Sequence, residues 1–355
     1  MPTGEPEQPS RPCDQRTPVS LITGFLGSGK TTLLRRILND PALTRSAVIV
    51  NEFGDTDFND VTLASAAPDI VPANAGCLCC SGRAQLAETL AGLQARKPAG
   101  GFDRVLIETS GLSEPAPVLQ ALMNDVELVA HYRVDTVIAV VDAVTGAASL
   151  AERPEARRQV ELADRIVVTK TDVADGEEVA GVRRRIAALN PRATILEAVD
   201  GDVSVPDLFL SLSGRDWHEA EFSDAPDSPP ARTHGVAAWT IRMAQAATDA
   251  GLALWMDLMA AYRGNTILRM KGVIDVAGEP VLVESVRHVF HPPIRLETWP
   301  GGEGGTRVVV IAQGIERAAV EEAFTALAFE PLKGPLDPGA YARFRQVVRK
   351  FTDRN

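Results

Sequence analysis

Basic charge is scarce in this 355-residue chain: 36 Lys and Arg stand against 47 Asp and Glu, for a formal net charge of −11. That balance argues against a nucleic-acid binder, which needs a basic stripe to displace counterions from phosphate. No run of eighteen apolar residues occurs, so no membrane-spanning helix is expected. The opening stretch MPTGEPEQPSRPCDQRTP lacks the apolar core of a secretory signal, and residues 1–15 read as a short disordered tail. A cytoplasmic protein with neither nucleic-acid nor membrane partners is the expectation. Cysteine is also sparse. Of the four, Cys13 stands alone in the tail, while Cys77, Cys79 and Cys80 crowd together. Thiols so close cannot pair with one another without severe strain, and a reducing compartment keeps them as thiols. The cluster therefore points to a metal or redox site rather than a disulfide framework.

What the chain does have is apolar residues, at 45%, enough for two domains with cores of their own. Continuous Val/Ile-rich runs lie at 19–25, 46–53, 104–110, 135–143, 165–170 and 193–198, and helical patterns near 30–39, 83–96, 115–123, 155–163 and 176–189 separate several of them. Strands apolar on both faces belong in a parallel sheet covered by helices. The fold class expected for 16–212 is therefore α/β, a doubly wound and mostly parallel sheet. Residues 213–233 are acidic and Pro-rich and read as a linker. A smaller α+β domain is expected over 234–330, with strands at 236–243, 266–276, 281–290 and 306–312 and helices at 248–261 and 316–327. Residues 331–355 end the chain in a basic helical stretch, YARFRQVVRKF.

The first motif is Gly24-Phe25-Leu26-Gly27-Ser28-Gly29-Lys30-Thr31, set between an apolar strand and the helical run TTLLRRIL. It fits the phosphate-loop pattern without a mismatch. Gly24, Gly27 and Gly29 let the backbone curl, so that N–H groups from Gly24 through Ser28 to Thr32 turn toward phosphate oxygens. The helix start adds its positive dipole end. Lys30 is expected on the β- and γ-phosphates and Thr31 on Mg²⁺. RVLIETSGLSEP then supplies Glu108 at the end of a neighbouring strand as a second Mg²⁺ contact, and the Gly111 N–H as a sensor of the γ-phosphate.

The third motif is Thr169-Lys170-Thr171-Asp172, closing the strand RIVVTK. Asp172 can accept hydrogen bonds from the N1–H and 2-amino group of guanine, and Lys170 can lay its stem along the base. Thr169 stands where most GTPases carry Asn, which weakens the case for guanine without removing it. The cysteine cluster, Gly76-Cys77-Leu78-Cys79-Cys80, follows a glycine that allows a turn. Three thiolates within four residues can take edges of one tetrahedron around a soft ion, with the fourth position left open.

The series GFLGSGKTTLL, VNEFGD, AGCLCC, ETSGLSEPAPV and TKTD, in this order, resembles the CobW-type family of P-loop GTPases. LRMKGVIDVAGEPVLVESVRHVFHPP is similar to that family's second domain, so the resemblance covers about 16–330. The resemblance implies a slow GTPase and a nucleotide-driven metallochaperone. It would bind GTP, carry Zn²⁺ or Co²⁺ on Cys77, Cys79 and Cys80, and deliver the ion to a client metalloprotein or an enzyme of cobalamin synthesis. A homodimer is left open. A protein that stores or senses metal with nucleotide as a structural ligand is the alternative. Glu52 or Asp55, in the segment 50–55 that ends the second strand, could couple the two sites if either approaches the cysteines. The chain departs from the family in having only five His, with His288 and His291 as one close pair read as structural.

Overall fold

The computed structural model describes residues 16–50, 70–72, 82–95, 101–209, 236–263, 266–300 and 304–331. Within them, β1 (Thr17–Gly24), β2 (Ser46–Val50), β3 (Ile70–Pro72), β4 (Arg104–Glu108), β5 (Tyr132–Asp142), β6 (Arg165–Thr169) and β7 (Thr194–Ala198) form one parallel sheet. The strand order is β3-β2-β4-β1-β5-β6-β7. The chain runs from β1 to one side and from β5 to the other, so β1 sits at the point where winding reverses. Open α/β sheets bind ligands at the carboxyl ends of the strands beside such a point.

Because neighbouring residues of a strand face opposite ways, each strand feeds two cores. Ile22, Leu106, Ile138 and Val140 pack with Leu33, Leu34 and Ile37 of α1 (Lys30–Ile37). Val19, Leu21, Val105 and Ile107 point to the other face, against Leu86 and Leu90 of α2 (Gly82–Ala95), Leu119 and Leu122 of α3 (Pro115–Asn124), and Leu128 of α4 (Val126–His131). Ala139, Val141, Ile166 and Val168 pack under α5 (Gly146–Glu152), α6 (Pro154–Glu161) and α7 (Gly176–Leu189) through Leu150, Val160, Val182 and Ile186. The one-turn helix α8 (Val205–Leu208) closes this unit against the first of these cores.

The second unit is an antiparallel sheet, β8-β13-β9-β10, formed by β8 (Val236–Met243), β9 (Ile267–Val276), β10 (Glu279–Val286) and β13 (Thr306–Gln313). The short strands β11 (Val289–Phe290) and β12 (Ile294–Arg295) both pair with β10. Helices α9 (Asp249–Arg263) and α10 (Arg317–Phe324) cover one face. Trp255 is fully buried there, edge-on to Phe290 at 5.6 Å and tilted on Phe324 at 5.0 Å between ring centroids. The units meet through apolar and charged groups alike. Val286 and Val289 belong to the same core as Leu86 and Leu128, and Arg269 of β9 pairs with Asp164 of the first unit at 2.9 Å.

The expected α/β and α+β units are present. The strand expected over 281–290 is broken, because Arg287 takes a left-handed turn at φ 55 and separates β10 from β11. The short elements β3, α4, α5 and β12 were not foreseen. The tail 1–15, residues 213–233 and the C-terminal basic stretch lie outside the described residues. Among the described residues no helix is long and apolar enough to cross a membrane.

Candidate active site

The carboxyl edge of the parallel sheet gathers the motifs. β1 ends at Gly24, whose φ of 148 and neighbours admit no side chain: a Cβ would lie 2.3 Å from the Val140 carbonyl oxygen. Gly27 and Gly29 hold φ 71 and 95, the region L-residues avoid, and bend the loop until α1 begins at Lys30. Lys30 is buried, and its Nζ donates to the carbonyls of Gly24 at 2.9 Å and Phe25 at 3.2 Å. The loop is thus closed around a cation, with N–H groups of a helix start beside it, which is the electrostatic form of an anion cradle. Ser28 is buried and Thr32 is exposed.

The pairing of Ile22 with Glu108 brings the end of β4 level with this loop. Thr31 Oγ1 donates to Glu108 Oε1 at 2.7 Å. A hydroxyl and a carboxylate in contact are hard oxygen donors, the set that Mg²⁺ takes. Three residues further on, Gly111 lies against the phosphate loop, where a Cβ would fall 2.7 Å from the Leu26 backbone nitrogen. That loop is held from behind by Gln159 of α6, whose Nε2 donates to the carbonyls of Gly111 and Ser113, both at 3.1 Å. Arg158 pairs with Glu114 beside it.

The other wall is the end of β6. Thr169 Oγ1 donates to the Ser28 carbonyl at 2.7 Å, and Lys170, at φ 59, donates to the Gly27 carbonyl at 2.9 Å. Lys170 also pairs with Asp142 at the end of β5. Burial pushes the Asp142 carboxyl up, but Lys170 and the N–H groups of Thr145 and Val144 outweigh it and hold it below the usual carboxylate range. Asp172 follows in the next turn and is exposed. The structure therefore brings Gly24, Gly27, Ser28, Gly29, Lys30, Thr31, Glu108, Gly111, Thr169 and Lys170 to one edge. Asp142 and Gln159 were missed in the sequence. Asp142 had one signal, its place at the end of a Val/Ile run beside the β6 motif; Gln159 had none.

Cys77, Cys79, Cys80, Glu52 and Asp55 lie outside the described residues. Among the described residues no three His, Cys, Asp or Glu side chains group as a metal site. His291 is buried, with Arg16 Nη1 at 3.2 Å from its Nε2 and the Pro292 carbonyl at 2.9 Å from its Nδ1. Arginine only donates, so Nε2 accepts and Nδ1–H donates. Both nitrogens are thus engaged, the structural reading of that residue, while His288 is exposed.

A glycine-rich loop between the central parallel strand and its helix, with lysine, threonine and a facing carboxylate, defines a P-loop nucleoside triphosphatase. Residues 18–197 match the family described as CobW/HypB/UreG, nucleotide-binding domain, and residues 236–328 match the cobalamin synthesis protein CobW C-terminal domain. The chain belongs to the CobW family of GTPases. It is 33% identical over 278 residues to the zinc chaperone YjiA of Escherichia coli, covering 77% of this chain and 86% of that protein. It is 32% identical over 355 residues to the zinc chaperone CobW of Pseudomonas aeruginosa, covering 88% and 92%. The crystal structure of Zn(II)-bound YjiA GTPase from E. coli matches with a TM-score of 0.60 at 26% identity, over 88% of this chain and 99% of that one.

Proposed function

We propose that this protein binds GTP with Mg²⁺ at the loop from Gly24 to Thr32, hydrolyses it, and uses the cycle to carry Zn²⁺ to a client metalloprotein. The observation that carries the nucleotide half is the Thr31–Glu108 contact at 2.7 Å, directly beside the glycine loop and Lys30. Bound Mg²⁺ would be held by Thr31 and Glu108, and it neutralises charge on the transferred phosphoryl group. Lys30 exchanges its loop carbonyls for the β- and γ-phosphates. The Gly111 N–H meets the γ-phosphate. On the base side, Lys170 already has its ammonium pinned by Gly27 and Asp142, which leaves its stem to lie along a base. Asp172 accepts from guanine, and Thr169 ties this element to the phosphate loop through the Ser28 carbonyl.

The metal half is supported by the thiol cluster Cys77, Cys79 and Cys80 and by the names of the relatives, which are zinc chaperones. Three thiolates with an open fourth position suit a cargo ion that must leave again, Zn²⁺ first and Co²⁺ as the other candidate. The receiver is a client metalloprotein or an enzyme of cobalamin synthesis.

Titration calorimetry with GTP and ATP, each with and without Zn²⁺, alongside phosphate release, tests the whole reading. GTP should bind more tightly than ATP, Zn²⁺ should change GTP affinity or turnover, and Cys77→Ser should remove that change. Lys30→Ala should lower turnover by about 100-fold or more, equivalent to about 2.7 kcal/mol of transition-state stabilisation. Equal GTP affinity and turnover with and without zinc would favour metal storage without energy coupling. A folded protein that ignores guanine nucleotides would overturn the reading entirely.

A further inference from the structure

Gln159 lies on α6 with 1% of its surface exposed, and its amide nitrogen spans the carbonyls of Gly111 and Ser113. One turn further on, the C-terminal cap of the same helix is gripped from the second unit: Arg269 of β9 donates to the Leu162 carbonyl at 2.5 Å and pairs with Asp164 and with Glu284 of β10. Asn190 of α7 adds donors to the Val160 and Ala163 carbonyls, both at 2.8 Å. Helix α6 is only eight residues, a rod of about 12 Å. Both contacts fall in its last turn, so the loop that lies on the phosphate loop and the second sheet are joined across a three-residue step, Gln159 to Leu162. Ser28 Oγ and Gln159 Oε1 are also buried without a hydrogen-bond partner among the described residues, and both residues line a cavity of about 20 Å³ under the phosphate loop.

We propose that Gln159 is a positioning residue through which the 111–114 loop acts on the second domain, with Arg269 as the side chain that receives the movement. A γ-phosphate that draws the Gly111 N–H inward pulls the two carbonyls held by Gln159. Close-packed elements shift as rigid pieces rather than deform. The shift therefore passes through the last turn of α6 to Leu162 and Asp164 and reaches β9 through Arg269. The inference rests on the GTPase reading above and adds a receiving domain to it.

The tryptophans supply the readout. All four, Trp217, Trp239, Trp255 and Trp299, lie C-terminal to the nucleotide-binding unit, and three remain in the second unit once Trp217→Phe is made. In that background, a non-hydrolysable GTP analogue with Mg²⁺ should change tryptophan emission and GDP should not. Gln159→Leu and Arg269→Met should each reduce the response by at least about fivefold while GDP affinity moves less than about threefold, since what is lost is coupling and not binding. Arg269→Lys, which keeps a charge facing Asp164, should recover part of it; a role in stability alone would leave the response of the folded variants intact. Should a variant fail to fold, hydrogen exchange on the wild type decides the matter, and residues 159–164 and 267–274 should differ between the analogue and GDP. Wild-type emission and exchange that are the same with both nucleotides, in protein that binds both, would overturn the coupling alone. Folded Gln159→Leu with a full response would do the same. Failure to bind guanine nucleotide at all would instead bring down the GTPase reading on which the coupling rests.

Discussion

The two sheets of this protein place their buried polar groups differently. In the parallel unit many of them, Ser28, Lys30, Glu108, Ser110, Ser113, Asp142, Gln159 and Thr169, crowd the carboxyl ends of β1, β4, β5 and β6. In the antiparallel unit Arg269, Lys271, Glu284 and His291 are buried, and they face the neighbouring unit: Arg269 reaches Asp164, Lys271 acts on the same carboxylate, and His291 meets Arg16. Buried charge is costly unless it is paired. One unit spends that cost on a site for a ligand, the other on its attachment to the first. The lesson is that the second unit's polar residues carry information about docking rather than chemistry.

The comparison breaks most sharply at Arg269. Arg269→Met leaves Asp164 and Glu284 buried without it and should cost about 3–5 kcal/mol, read as a shift in the urea midpoint. Acid should attack the same contact. Burial raises the Asp164 pKa, but Arg269 and Lys271 outweigh it, so the folded value lies below the unfolded one near 4. The contribution is complete above about pH 4 and is lost as pH falls through the depressed folded value. Stability measured from pH 5 downward should therefore fall more steeply in the wild type than in Asp164→Asn.

On the ligand side, Gly111→Ala drives a Cβ into the Leu26 backbone and should cost about 1–3 kcal/mol, with a smaller GTP-to-GDP affinity ratio than wild type. Under the proposed guanine recognition, Asp172→Asn would remove a charged acceptor of two guanine donors. It should cut the preference for GTP over ATP by about 10–100-fold in a competition assay, leaving the melting temperature unchanged. The smallest effect is expected from Thr169→Asn. The native hydroxyl already reaches the Ser28 carbonyl, so restoring the usual residue should move GTP affinity by less than about threefold.

The same division explains what could be read in advance. The parallel sheet was legible because β1, β2, β4, β5 and β6 are continuous apolar runs. The phosphate loop was legible because its chemistry is contiguous, with strand, glycines, lysine and helix inside twenty-one residues, Thr17 to Ile37. Elements of a few residues were not: β3 is three residues ending in proline, and its existence depends on Val48–Val50 lying alongside. The break at Arg287 was hidden because an apolar run continues on both sides of it. The contacts of Asp142, Gln159 and Arg269 were unreadable for a different reason. Their partners Lys170, Gly111 and Leu162 lie 28, 48 and 107 residues away, and no local pattern announces a contact made by the fold.

The position of β1 has a consequence for how the molecule comes into being. The residues of the phosphate loop leave the ribosome before those that wall them in: the strand that bears them is flanked by β4 and β5, and Thr169 of β6 props the loop itself. A nascent chain that stops short of about residue 170 has the nucleotide motif but not its walls. Pairings between segments so distant in the chain form slowly. Truncated translation products ending before β6 should accordingly fail to retain guanine nucleotide, and the capacity should emerge abruptly once that strand is out of the exit tunnel.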